Sequence, residues 1–125
     1  MFLTNELPIS QTTYKNRFLV KIGEHIHLVF VENIVCFCSK EKATYIYTKD
    51  RKKYIIDYTL EQIENVIAPN HFFRINRGFI INITAIEDII NFTNSRLKIT
   101  LKNIKEDDLL VSREKVQAFK SWLDM

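Results

Sequence analysis

The chain has 125 residues, of which 46% are hydrophobic and 26% charged, with a formal net charge of +3. This length suits one domain with its own core, and the composition is that of a soluble globular protein. The apolar runs are far shorter than the ~20 residues that cross a bilayer, and the start MFLTNELPIS does not resemble a signal peptide. We therefore expect a cytoplasmic protein with no membrane partner.

The first part of the chain alternates in a way that predicts β-strands. Residues 1–16 lack periodicity and are expected to be a tail or the end of a linker, which leaves one domain at residues 17–125. RFLVKI and HIHLVFV, separated by Gly23 and Glu24, predict a hairpin. NIVCFCS predicts a buried strand, and ATYIYTK with KYIIDY predicts a second hairpin. The apolar residues that alternate in the second strand are Ile26, Leu28 and Phe30.

The segment TLEQIENVIA changes to a helical period. Thr59 and Gln62 have the spacing of a capping box, which predicts the start of a short helix. Pro69 ends it, because the residue before a proline is pushed out of the α region. The residues predicted to form its buried face are Leu60, Ile63 and Ile67.

The second half of the chain returns to strands and closes with a helix. AIEDIINF and RLKITLKN, joined by a turn at Asn94 and Ser95, predict two strands. SREKVQAFKSWL predicts a terminal helix with Ser112 as its N-cap. The sum is seven or eight short strands, one central helix and one terminal helix, a mainly β fold. The residues expected to be buried are Leu97, Ile99 and Leu101 in the last strand and Val116, Phe119 and Leu123 in the helix.

Four potential metal ligands lie on neighbouring predicted strands. Cys36 and Cys38 are too close in sequence for an easy disulfide and are predicted to be reduced and structural. His25 and His27 form a similar pair, and zinc takes four such ligands. Because structural zinc sites usually separate their cysteines by two to four residues, the spacing favours ordinary core and surface residues, and we expect no metal site.

The sequence also lacks the elements of a catalytic site. Its few serines lie in predicted caps or turns, and no Gly-rich phosphate loop occurs. The acidic run at 106–108 is predicted to be a solvated loop. We therefore expect no enzymatic activity, no cofactor and no small-molecule substrate.

The stretch HFFRINRGFIIN, residues 71–82, is apolar enough to be buried yet contains Arg74, Asn76 and Arg77. Gly78 breaks the run, which places Asn76 and Arg77 at or beside a turn. Buried arginines need partners.

Two roles stay open for each arginine. Arg74 either pairs with an acid such as Glu87 or Asp88 or takes part in binding, and Arg77 is either a solvated surface charge or a contact residue.

Cations also lie at two other predicted loops. Arg113 at the first turn of the terminal helix opposes the helix dipole, which makes sense if a phosphate is shared between it and the helix N-terminus, and Lys115 adds to this charge. The alternative is an ordinary exposed helix charge. Lys40, Lys42 and Thr44 form a donor-rich loop before the strand YIY. Such residue types contact phosphates and base edges, although charge runs are usually solvated.

The order of these segments resembles the LytTR DNA-binding domain, the output module of LytR/AlgR-type bacterial response regulators. The specific part is FFRINRGFIIN, followed about thirty residues later by VSR at the entry to a terminal helix. The resemblance covers about residues 16–124. It implies small packed antiparallel sheets and transcriptional regulation by sequence-specific binding of double-stranded promoter DNA, usually as pairs on two imperfect repeats.

Members of this family insert loops into successive major grooves, with a contact toward the intervening minor groove. Carried onto this sequence, the contact loops are those at Lys42–Tyr45, at Asn76 and Arg77, and at Arg113 with Lys115. The residues predicted to bind DNA are therefore Lys40, Lys42, Thr44, Tyr45, Asn76, Arg77, Arg113 and Lys115.

The sequence departs from the family pattern at two positions. Thr44 stands where a larger polar side chain is common, which puts that base contact in doubt. Gly78 stands where a small hydroxyl residue often lies, so one phosphate contact is expected to be missing. The usual receiver domain is also absent from the sequence, because only about sixteen residues precede the first predicted strand. We expect either a standalone regulator or a piece of a longer protein.

Two other functions remain open from sequence. One is a protein-interaction module, in which the basic loops of this chain would bind an acidic partner. Such interfaces centre on exposed aromatic anchors, for which Tyr45, Tyr47 and Trp122 are the candidates. RNA binding by stacking is less supported, because no surface aromatic pair with flanking basic residues is evident.

Overall fold

The computed structural model describes residues 13–105 and 109–125, so most of the predicted tail and the acidic loop at 106–108 lie outside the described residues. The strands are β1 (Arg17–Ile22), β2 (His25–Phe30), β3 (Ile34–Lys40), β4 (Ala43–Thr48), β5 (Lys53–Ile56), β6 (Phe72–Asn76), β7 (Phe79–Asn82), β8 (Ile86–Phe92) and β9 (Arg96–Leu101). The helices are α1 (Leu60–Val66) and α2 (Val116–Leu123). The predicted mainly β fold is confirmed, with nine strands in the described part rather than seven or eight. None of the described helices is long and apolar enough to cross a membrane.

The strands form one five-stranded sheet and two separate hairpin sheets. The order in the central sheet is β5-β4-β3-β7-β6, and every pair in it is antiparallel. The other sheets are β1–β2 and β8–β9. The two predicted hairpins are therefore found, and β3 lies at the centre of the molecule.

The central sheet is covered on both faces. On one face Cys36 and Cys38 pack in a cluster with Phe119 of α2 and the inward residues of β9. On the other face Phe37 packs with Ile63 of α1 and with residues of the β1–β2 sheet. A strand buried on both faces is apolar along its length, which explains the continuous run in NIVCFCS. Both cysteines are buried thiols, as predicted.

The alternating apolar row of β2 lies on the side of the β1–β2 hairpin that faces away from the core. Phe18, Val20 and Val29 are buried, whereas Ile26, Leu28 and Phe30 are exposed. Both sides of this hairpin carry large apolar residues, so the period alone did not decide which side packs.

The four potential metal ligands do not converge. His25 and His27 are exposed on β2, while Cys36 and Cys38 are buried in the central sheet. Within residues 13–105 and 109–125, no group of three or more histidine, cysteine or acidic side chains is placed to hold a metal ion.

The start of α1 is the one predicted from sequence. The Thr59 side chain accepts a hydrogen bond from the Gln62 amide at 3.1 Å, and the Gln62 side chain accepts one from the Thr59 amide at 2.9 Å. The predicted face of α1 is buried, and its C-cap is Ile67, two residues before Pro69. This helix therefore follows its local signals.

The start of α2 differs from the prediction. A 3-10 turn at Arg113–Lys115 comes first, and the Ser112 side chain makes no capping hydrogen bond. The Lys115 amide instead donates to the Ser112 carbonyl at 2.9 Å.

Trp122 is buried and its indole N–H donates to the Pro69 carbonyl at 2.8 Å. The prediction of Trp122 as an exposed anchor is therefore wrong.

Candidate nucleic-acid interface

The structure brings three turns that carry predicted contact residues together at one end of the central sheet. They are residues 40–43 at the β3–β4 turn, residues 76–78 at the β6–β7 turn, and the 3-10 turn Arg113–Lys115; we call them the turn cluster. The Ser39 amide donates to the Gly78 carbonyl at 2.9 Å, and the Ser112 amide donates to the Ile75 carbonyl at 2.9 Å. Backbone hydrogen bonds therefore fix each turn relative to the next.

The β3–β4 turn has a left-handed backbone at both central positions. The φ angles of Glu41 and Lys42 are +50° and +66°. This geometry matches the twist of a two-residue hairpin turn, although it is uncommon for residues other than glycine. Lys40, Glu41 and Lys42 are exposed at this end of the hairpin. The turn thus presents cations to solvent, with one carboxylate between them.

The strand that follows this turn holds its polar residues more deeply. Thr44 is only 8% exposed. Together with Ser39, Lys42 and Arg77 it lines a cavity of about 390 Å³ that connects the first two turns. Tyr45 is half-buried, and the Lys53 ammonium lies 4.3 Å from the centre of its ring.

The Asn76 side chain connects its own turn to the segment that leads into the 3-10 turn. Its Nδ2 donates to the Leu110 carbonyl at 2.8 Å, and its Oδ1 accepts from the Gly78 amide at 2.8 Å. The register of β6 and β7 shifts between Arg74 and Asn76, just before this turn. Arg77 is exposed at the turn. Asn76 is therefore held by hydrogen bonds within the protein, whereas Arg77, the next residue in sequence, is exposed to solvent.

Arg74 holds the β6–β7 turn against α1. Its Nη1 lies 2.9 Å from the Glu64 carboxylate and 3.3 Å from that of Glu61. Its Nε donates to the Asn76 carbonyl at 3.1 Å, and its Nη2 donates to the Arg77 carbonyl at 2.8 Å.

Arg74 therefore pairs with acidic residues, which is one of the two roles that the sequence left open, but these residues lie on α1. The suggestion of Glu87 or Asp88 as the partner is wrong. The pKa of Glu61 lies below its usual range because its own backbone amide, and then Arg74, donate hydrogen bonds to it.

The two cations of the 3-10 turn are arranged differently. Arg113 is exposed, with Glu114 exposed beside it. Lys115 is half-buried, and its Nζ donates to the Arg74 carbonyl at 3.1 Å. Arg113 therefore extends from the turn, while Lys115 holds it against β6.

Sequence reasoning missed the residues that organise the turns. Arg74 was left with two roles, and Ser39, which bonds to the second turn and lines the shared cavity, was not singled out. The contacts of Ser39 with Gly78 and of Arg74 with α1 join separate segments of the chain, so no local spacing could have indicated them.

Comparison of the fold shows the class of domain. The chain superposes on the LytTr DNA-binding domain of a putative methyl-accepting/DNA response regulator from Bacillus cereus with a TM-score of 0.78. The match covers 89% of this chain and 99% of that one at 22% identity, which shows a shared fold. The family sequence model for the LytTr DNA-binding domain matches residues 24–124. The chain belongs to this LytTR family, which is one of DNA-binding domains and not of enzymes.

Curated relatives agree with this family. The transcriptional regulatory protein YpdB of Escherichia coli K12 is 29% identical over 124 residues, which is 98% of this chain and 50% of that protein. The sensory transduction protein LytT of Enterococcus faecalis is 31% identical over 82% of this chain and 41% of that protein. The transcriptional regulatory protein LytR of Staphylococcus aureus N315 is 30% identical over 67% of this chain and 34% of that protein. The chain thus spans at most about half the length of these relatives.

Proposed function

We propose that this chain binds double-stranded promoter DNA in a sequence-specific manner and thereby regulates transcription in the cytoplasm. The observation that carries the proposal is the turn cluster, in which hydrogen bonds hold three cation-bearing turns at one end of the central sheet. No described helix is a basic recognition helix, so the turns are the parts that enter the grooves. Regulatory relatives and the family match support the same conclusion.

The roles of the predicted site residues follow from their surroundings. Lys42, Arg77 and Arg113 are exposed, and we assign them to DNA contact in successive major grooves. Asn76 and Lys115 are hydrogen-bonded within the protein, and we assign them to positioning the turns. We assign Lys40, which is part of the first turn, to a further phosphate contact, and Thr44 and Tyr45 to shaping the surface behind it.

We further propose that two copies bind two related elements about one helical turn apart. The alternative function, a protein-interaction module, has lost support, because Trp122 is buried and Tyr45 and Tyr47 are half-buried. Such modules rely on exposed aromatic anchors.

Selection from a random duplex-DNA library tests the proposed function. We expect enrichment of two related short elements, with at least about tenfold preference over a scrambled duplex. Affinity should fall steeply with salt, because cations that bind phosphates release counterions. Titration of both duplexes at two salt concentrations measures both properties. Equal, salt-sensitive affinity for the two duplexes would mean a generic basic surface and would contradict sequence-specific binding.

Replacing Gly78 by serine is expected to tighten DNA binding about two- to tenfold, the effect of one added hydrogen bond. A Cβ atom at this position meets only Asn76 Oδ1 and the Ser39 carbonyl, both at 3.7 Å, so a side chain fits. The new hydroxyl can donate to a phosphate, as the family pattern implies. Fluorescence anisotropy with the selected duplex measures the change.

Gly78→Ala is the matched control, because it fills the same space without a hydroxyl. Its affinity should equal that of the wild type, and neither variant should change the salt dependence, since no cation is added. Equal tightening by alanine and serine would show that the turn is stiffened rather than given a new contact.

A further inference from the structure

The outer face of the β1–β2 hairpin is an apolar surface that the rest of the described chain leaves exposed. Leu19 is 52% exposed, Ile26 63%, Leu28 55% and Phe30 46%. These four share one face, because Leu19 pairs directly with Leu28 and residues directly opposite in a sheet point the same way. We call it the hairpin face. Contiguous exposed apolar patches on soluble proteins mark interaction sites.

The charges around the hairpin face are arranged in two rows. Arg17 pairs with Phe30, and Lys21 pairs with Ile26, so the β1 row is basic at both ends of Leu19. The β2 row is apolar throughout, and exposed acidic residues stand beyond its two ends, Glu24 before β2 and Glu32 after it. Basic residues therefore flank Leu19 on β1, and acidic residues stand just beyond the two ends of β2.

The DNA-binding site does not account for the hairpin face. No residue of the turn cluster lies on the hairpin, and the family match begins at residue 24, after β1. β2 leads through a 3-10 turn into the start of β3, whereas the first contact turn follows the end of β3. A partner on this face leaves the turn cluster open.

We propose that the hairpin face docks a second copy of this chain, face to face, about a two-fold axis parallel to the strands. This axis lays β1 of one copy over β2 of the other. Leu19 then meets the partner's Leu28, and Arg17 and Lys21 approach the partner's Glu32 and Glu24. A two-fold axis perpendicular to the strands would instead lay Arg17 near the partner's Lys21. The charge pattern therefore selects one of the two symmetric arrangements.

The size of the hairpin face sets the strength of this contact. A patch of this kind offers on the order of 300–600 Å², which is less than the roughly 800 Å² that each partner contributes to a standard stable interface. Ile55 of β5, 61% exposed, adjoins it across a groove shared with Leu19 and Lys21 and adds a little more. The dimer is therefore weak, with a dissociation constant in the micromolar to millimolar range.

Sedimentation equilibrium of the chain without DNA tests the proposal. We expect a reversible monomer–dimer equilibrium, and Leu28→Glu should raise the dissociation constant at least tenfold. Ile90→Glu, on β8 at 47% exposure, is the matched control and should leave it unchanged. A wild-type chain that stays monomeric at millimolar concentration, or equal effects of the two variants, would overturn the proposal and leave the face to a different partner.

Leu28→Glu should keep the wild-type affinity for a duplex that carries one element. Loss of dimerisation with intact single-element binding thus concerns the hairpin face alone, whereas absence of DNA binding in the wild type concerns only the proposed function. Thermal unfolding of both variants confirms that they fold.

Disulfide cross-linking tests the direction of the axis. Under mild oxidation, a mixture of Leu19→Cys and Leu28→Cys chains should form the mixed dimer in preference to either homodimer. Cys36 and Cys38 are buried and do not compete. Preferential homodimers of each variant would favour the perpendicular axis and contradict the proposed arrangement.

Discussion

Replacing Arg113 by alanine is expected to weaken binding to the selected duplex by about 1–3 kcal/mol and to relax its sequence preference. Arg113 is exposed at the 3-10 turn, and its neighbour Lys115 is hydrogen-bonded to the Arg74 carbonyl, so Arg113 is the cation of this turn that extends from the protein. A guanidinium that binds a base edge discriminates between bases, which an ammonium at a phosphate does not. Anisotropy titrations of selected and scrambled duplexes measure both effects.

Two lysine variants serve as controls for Arg113→Ala. Lys42→Ala should weaken the selected and scrambled duplexes about equally and reduce the salt slope by about one unit, as expected for a phosphate contact. Lys120→Ala removes an exposed cation later in α2 and should have little effect. If Arg113→Ala leaves affinity and preference unchanged, the 3-10 turn is not a DNA contact.

Replacing Arg74 by methionine is expected to lower the free energy of unfolding by about 2–3 kcal/mol. The apolar stem is kept, but the carbonyls of Asn76 and Arg77 lose a charged donor. The ion pairs with Glu61 and Glu64 contribute less, because those carboxylates are exposed. DNA affinity should fall as well, since Arg77 is no longer held in place. Urea unfolding and anisotropy measure the two effects.

The pH dependence of the unfolding free energy separates the contribution of the Arg74–Glu61 ion pair from that of the bonds between Arg74 and the two carbonyls. The pKa of Glu61 is lowered in the folded protein, so its stabilising effect is present above the unfolded pKa and is lost as the pH falls through the folded pKa. The backbone amide of Glu61 is the largest single cause of this lowering, ahead of Arg74, so the stability difference between wild type and Arg74→Met should narrow only slightly in acid. The double variant Glu61→Gln/Glu64→Gln should cost less than Arg74→Met at neutral pH. An equal cost would mean that the ion pairs, not the carbonyl contacts, hold the turn.

The sequence predicted those elements in which a local pattern of apolar residues agrees with burial of one side of the element. Leu97, Ile99 and Leu101 alternate strictly, and all three are buried. The capping box of α1 is present because Thr59 and Gln62 need only each other. In such elements, the information that decides the structure lies within a few residues.

The sequence could not resolve features that depend on distant partners. The β1–β2 hairpin is apolar on both sides, so only its packing against Phe37 and Ile63 shows which side is buried. Asn76 was correctly expected beside a turn, yet its bond to Leu110 crosses 34 residues of chain. The loops of the candidate site could be predicted from the family resemblance, but the division between exposed and positioning residues required the three-dimensional contacts.

The hydrogen bonds between the turns also bear on the kinetics of DNA recognition. Ser39 to Gly78, Ser112 to Ile75 and Asn76 to Leu110 join all three turns to a sheet that is buried on both faces. The surface is therefore shaped before DNA arrives, and little conformational freedom remains to be lost on association. Encounter rates should then be similar for cognate and unrelated duplexes, since the same charges attract both. The discrimination between them should reside in how long each complex lasts.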